Sequence, residues 1–146
     1  MLVTGTVAGT VAITGAIQNG PSSMALTSTT IDSSPPKMTT ITATRTTGGL
    51  SVQVIGYSPE RRVTEVEYSF DVRVNGAIQK VNLGKSVLSE FNSWYQNPAS
   101  AAFGSAFRLQ QLFSVVGDTT AIEGVTVTLK NSQGNTASAR TPFTAN

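Results

Sequence analysis

Glu65-Val66-Glu67-Tyr68-Ser69-Phe70-Asp71-Val72-Arg73-Val74-Asn75-Gly76 sets apolar residues at even positions against polar or charged residues at odd ones, without a break until Asn75. Successive side chains of a strand point to opposite faces of a sheet, so this pattern gives one face to a core and the other to water. Asn-Gly is the residue pair that a two-residue hairpin turn demands, and Ile78 to Leu83 is then the returning strand.

The same two-residue period recurs outward from this hairpin. Met38 to Thr46 reads as a Thr-rich strand, Thr47-Gly48-Gly49 as a turn, and Leu50, Val52 and Val54 as one face of the next strand. Phe107, Leu109, Gln111, Phe113 and Val115 define a further strand, and Val125, Val127 and Leu129 another. Asn131-Ser132-Gln133-Gly134-Asn135 is a turn, after which Thr136 to Phe143 closes the fold. Only Lys85 to Tyr95 departs from strand spacing: Val87, Leu88, Phe91, Trp94 and Tyr95 fall on a helical face, with Ser86 as N-cap and Asn97-Pro98 as terminator. Short strands separated by turns, with one such interruption, predict an all-β, immunoglobulin/fibronectin-like β-sandwich with one short crossover helix.

Asp32-Ser33-Ser34-Pro35-Pro36-Lys37 is the strongest break in the chain, because paired prolines cannot donate to a ladder. It divides an N-terminal strand extension, residues 1–34, from the sandwich domain, residues 35–146. In the extension Val3, Gly5, Val7, Val11, Ile13, Gly15 and Ile17 occupy odd positions, and Met24 to Ile31 is a second strand. A two-stranded hairpin cannot bury the apolar face of Val7, Val11, Ile13 and Ile17 by itself. Those four residues are therefore candidates for strand exchange with another copy or for packing on the sandwich.

Composition removes most enzyme chemistry. The 146 residues include no histidine, no cysteine and eight carboxylates, so a nucleophile–base pair would have to come from Lys or acids alone. Glu65, Glu67 and Asp71 share one strand face, but nothing nearby separates Glu65 and Glu67 into an acid and a base. Asp118 and Glu123 are too few oxygens for calcium. An isopeptide crosslink of Lys37 or Lys85 with Asn131 or Asn135 would need a buried acid beside the pair. The expectation is no catalytic residue, no metal and no cofactor. Ten basic residues are scattered and net charge is +2, which argues against nucleic acid. No run of the sequence is long and apolar enough for membrane insertion, and its first residues lack the basic start of a secretory leader. Arg61-Arg62 beside Glu60, Glu65 and Glu67 reads as a solvated hairpin with cross-strand ion pairs. Tyr57, Trp94 and Tyr95 are candidate ligand-contact aromatics for glycans, although Trp94 and Tyr95 also suit core packing with Phe91, Phe103 and Phe107.

Four stretches carry a family resemblance: residues 49–64 (GLSVQVIGYSPERRVT), 91–96 (FNSWYQ), 100–107 (SAAFGSAF) and 125–134 (VTVTLKNSQG). Together they resemble a β-sandwich module found near the C-termini of large secreted proteins of Acidobacteria-type bacteria, over roughly residues 38–143. Thr4 to Ile13 looks like the closing strands of a preceding immunoglobulin-like repeat. Where that family usually has Arg followed by Glu, this chain has Glu60-Arg61-Arg62-Val63. The resemblance implies a secreted or cell-surface bacterial scaffold whose leader is absent from this chain. The expected function is a non-catalytic extracellular structural module that forms or extends a scaffold, in fibre form by strand addition. Its partners would be other copies or neighbouring immunoglobulin-like modules. A carbohydrate- or surface-binding adhesion module is the alternative.

Overall fold

The computed structural model describes residues 7–14 and 26–145. Ten strands run in the order β1 (Gly9–Thr14), β2 (Leu26–Ile31), β3 (Lys37–Thr46), β4 (Gly49–Tyr57), β5 (Glu65–Val74), β6 (Ala77–Ser86), β7 (Ala106–Ser114), β8 (Ile122–Asn131), β9 (Gly134–Ala137) and β10 (Thr141–Pro142). One helix, α1 (Leu88–Gln96), lies between β6 and β7. The strands form two packed antiparallel sheets and a separate ribbon. The shorter sheet has the order β3-β4-β7; the longer has β8 and β5 at its centre, β6 outside β5, and β9 and β10 in succession along the other side of β8.

Alternation on β5 does what its sequence requires. Val66, Tyr68 and Phe70 turn inward and are buried, and so are Leu50, Val52 and Val54 of β4 and Val125, Val127 and Leu129 of β8. Each of these contributes about 1.5–3 kcal/mol when removed from water. Asn75 and Gly76 both take positive φ, +51° and +83°, as a type I′ turn needs. Aromatic rings fill one half of the core: Phe70 meets Phe113 edge-on at 5.1 Å and lies stacked on Phe143 at 6.2 Å, while Tyr68 meets Phe113 at 4.9 Å. Burial pushes the Tyr68 phenol up to about 12.

The C-terminal segment changes sheets. Thr141 pairs with Val125 of β8, and then the Thr144 amide donates to the Ala43 carbonyl (3.0 Å) while the Arg45 amide donates to Thr144 (2.8 Å). This parallel bridge joins the chain end to β3. The Arg45 guanidinium secures the crossing by donating to the carbonyls of Phe143 (2.7 Å), Ile122 (2.9 Å) and Thr119 (3.3 Å).

Two local expectations are corrected, and one unassigned stretch gains a structure. Ser86 is not the helix N-cap: the β5–β6 ladder continues to Glu65–Ser86, and Val87 occupies the cap without a side-chain bond. Pro98–Phe103, unassigned in the sequence, forms a 3-10 helix whose first amide is held by the Asn97 side chain. Thr136 to Phe143 is not one strand, because Ser138 uses its hydroxyl to accept the Val127 amide and Arg140 turns to Asp71.

The ribbon pairs β1 with β2 alone, from Gly9–Ile31 to Thr14–Leu26. It touches the sandwich through the Ala8 amide, which donates to the Pro59 carbonyl (2.7 Å). The following linker is pinned: Pro36 is buried and the Asn131 side-chain amide donates to Ser34 (3.0 Å). Val7 is half-buried, and β1 carries Val11 and Ile13, whose side chains lie outside the described set, as does Ile17 altogether.

Candidate functional site

Two surfaces stand out, and the first follows from sheet width. The shorter sheet is three strands wide, and its last strand, β7, sits over β5 through Phe113. Strand β6 therefore overhangs. Val81 and Leu83 pair with Phe70 and Tyr68 and share their inward side, yet they are 45% and 47% exposed. Every residue of β6 is exposed. Between β6 and β7 runs an apolar seam of about 330 Å³, lined by Leu50, Phe70, Val81, Leu83, Phe113 and Val115 among others. The Lys85 ammonium crosses its lower end, 3.5 Å from the Gln111 side-chain oxygen and 3.1 Å from Glu90.

The second surface is aromatic. Trp94 is half-buried, its indole N–H donates to the Ala106 carbonyl (3.2 Å), and its ring lies 5.8 Å from Phe103. Phe103 is 58% exposed, and with Ile55 and Arg108 the pair lines a shallow hollow of about 410 Å³. Tyr95 does not join this surface. It is buried, its hydroxyl donates to Ser105 (2.6 Å), and the Arg61 guanidinium covers its ring at 5.1 Å. Burial pushes the Tyr95 phenol up to about 12, against the nearby Arg61 charge. Tyr57 is half-buried at the end of β4, paired with Lys37 and Ala106. The sequence reading missed Phe103 as a surface residue because nothing local distinguishes it from Phe91 and Phe107; the 3-10 helix turns it outward.

Several ionisable groups are paired with one another, and others with hydroxyls or carbonyls. Lys130 lies 3.2 Å from Glu65 and 3.6 Å from Glu67, so one cation serves both carboxylates. Glu60 accepts from the Ser132 hydroxyl, and Arg61, at φ +53°, reaches the carbonyl of Tyr95 instead of an acid. This corrects the expected pairing of Arg61 with the neighbouring glutamates: the turn aims its guanidinium at the helix. Asn131 uses its amide on Ser34 and Gln133. Among the described residues no three metal-ligating side chains gather.

Asp71 is the one buried carboxylate, between Lys80 (2.7 Å) and Arg140. Hydrogen bonds from Lys80 and then Arg140 hold its carboxyl below the usual carboxylate range. A folded pKa below the unfolded one means the unfolded chain binds more protons in that window. The stabilisation is present above the ordinary carboxylate pKa of about 4 and disappears as pH falls through the lower folded value. Urea midpoints should therefore drop on acidification below about pH 4, and Asp71→Asn should flatten that slope; an unchanged slope would mean the pairing adds nothing to stability.

No family model matches the chain, and no curated protein is similar enough to count as a relative.

Proposed function

We propose that this chain is a non-catalytic structural module, immunoglobulin- or fibronectin-like, of a bacterial surface or secreted scaffold, and that it joins copies by β-strand addition. The observation that carries the reading is the β1–β2 ribbon, which pairs with neither sandwich sheet. A lone two-stranded ribbon is marginal in water. Covering Val7, Val11, Ile13 and Ile17 in a neighbour would contribute about 1.5–3 kcal/mol each, before ordering costs. A surface with few charges and many hydroxyls suits an extracellular scaffold, and the chain is 12% charged.

Deleting residues 1–31 tests this. By light scattering, the full chain should gain mass with concentration, and the shortened chain should stay monomeric while keeping the far-ultraviolet spectrum of a folded β-protein. Undiminished polymers from the shortened chain would refute strand exchange. The second reading, adhesion to glycans, is favoured by the open Trp94–Phe103 pair beside Arg108. Monomers whose Trp94 emission shifts on glycan addition would select it instead.

A further inference from the structure

We infer that the seam between β6 and β7 is the acceptor: the N-terminal strand of a second copy pairs with the free edge of β7 and becomes the fourth strand of the shorter sheet. This inference rests on the strand-addition reading and names its receiving site.

Sheet geometry selects the edge. Strand β7 pairs with β4 along nine residues, and its other side has no partner among the described residues. A strand laid there would sit opposite β6 at the usual spacing of about 10 Å between sheets, over Val81 and Leu83. A strand added to β6 would widen the sheet that already overhangs and cover neither.

Chemistry selects the occupant. Residues 1–31 contain no charged side chain, the first being Asp32, and the odd positions from Val3 to Ile17 are apolar or small. The residues lining the seam are apolar apart from Ser114, and Lys85 at its end is already engaged by Gln111 and Glu90, so an incoming charge would lose water without gaining a free partner. An uncharged strand with one apolar face is what such a slot accepts. The donor comes from another copy because the chain's own ribbon is held elsewhere. Ala8 is bonded to Pro59, and the pinned linker enters the sandwich at β3, the opposite edge of the same sheet. Donor and acceptor are thus different surfaces, so addition is head-to-tail and yields an open chain of copies.

The chain lacks cysteine, so single cysteines report contacts cleanly. Val11→Cys chains are mixed with Gln111→Cys chains and joined with a short bis-maleimide, which tolerates a two-residue slip in register. Gln111 is half-buried on the inward side of β7, paired with Val52. Thr40→Cys, on the opposite edge strand β3, is the control acceptor. The expected result is at least a tenfold excess of Val11–Gln111 heterodimers over Val11–Thr40 heterodimers. If Gln111→Cys fails to fold, Leu83→Cys takes its place with the same expectation.

Preferential joining to Thr40 would overturn the acceptor assignment and leave strand addition standing. Predominant Gln111–Gln111 joining would mean that two seams face each other, and it also overturns the assignment. A full chain that stays monomeric and yields no heterodimer would overturn both.

Discussion

Phe70→Ala should lower the free energy of unfolding by about 3–5 kcal/mol, read from urea curves followed by Trp94 emission at a dilution where copies do not associate. Phe70 is 4% exposed and lies between Phe113 and Phe143, so three elements lose a common contact: β5, β7 and the chain end. The surroundings cannot collapse readily onto the space, because Tyr68 stands on the same strand face against the same Phe113 ring. Phe103→Ala is the matched control; its exposed ring should cost no more than about 0.5 kcal/mol. Equal losses for the two would mean that the aromatic cluster is not the centre of the core.

Arg45→Met should cost about 2–4 kcal/mol while keeping most of the side-chain stem. The substitution leaves three carbonyls without their donor, at Thr119, Ile122 and Phe143, and removes the cation placed 5.9 Å from the Phe143 ring. Arg45→Lys should recover only part of the loss, since one ammonium cannot reproduce a planar fork that reaches three separate acceptors. Faster hydrogen exchange of the Thr144 amide in Arg45→Met would locate the damage at the sheet crossing. Protection unchanged there would show that the crossing does not depend on the guanidinium.

Much of this architecture was legible because it is local. The alternation of residues 65–74 and the Asn75-Gly76 pair specify a strand and its turn without reference to the rest of the chain, and both are present. The helical spacing of Phe91 and Tyr95 likewise marks the residues that α1 buries. What was not legible depends on neighbours. Val81 and Leu83 fall on the returning strand that the hairpin predicts, and they do face inward; their exposure comes from the opposing sheet being one strand narrower. Ser86 has the chemistry of a cap but is claimed by a ladder that extends to it. Arg61 looks like a surface ion-pair residue, and only the positive φ of its turn sends it to Tyr95. On the candidate surfaces, Trp94 was identified, whereas the β6–β7 seam had no sequence signal because sheet width is not a property of any one strand.

The sheet crossing at Thr144 has a mechanical meaning. The bridge between residues 44 and 144 is parallel, so the upstream end of β3 and the downstream end of the last segment point in opposite directions. Tension applied through residues before Lys37 and after Thr144 would slide these two segments past each other and load their bonds together instead of peeling them one at a time. Pulling the chain by its two ends therefore has to break both backbone bonds of the crossing before that crossing yields.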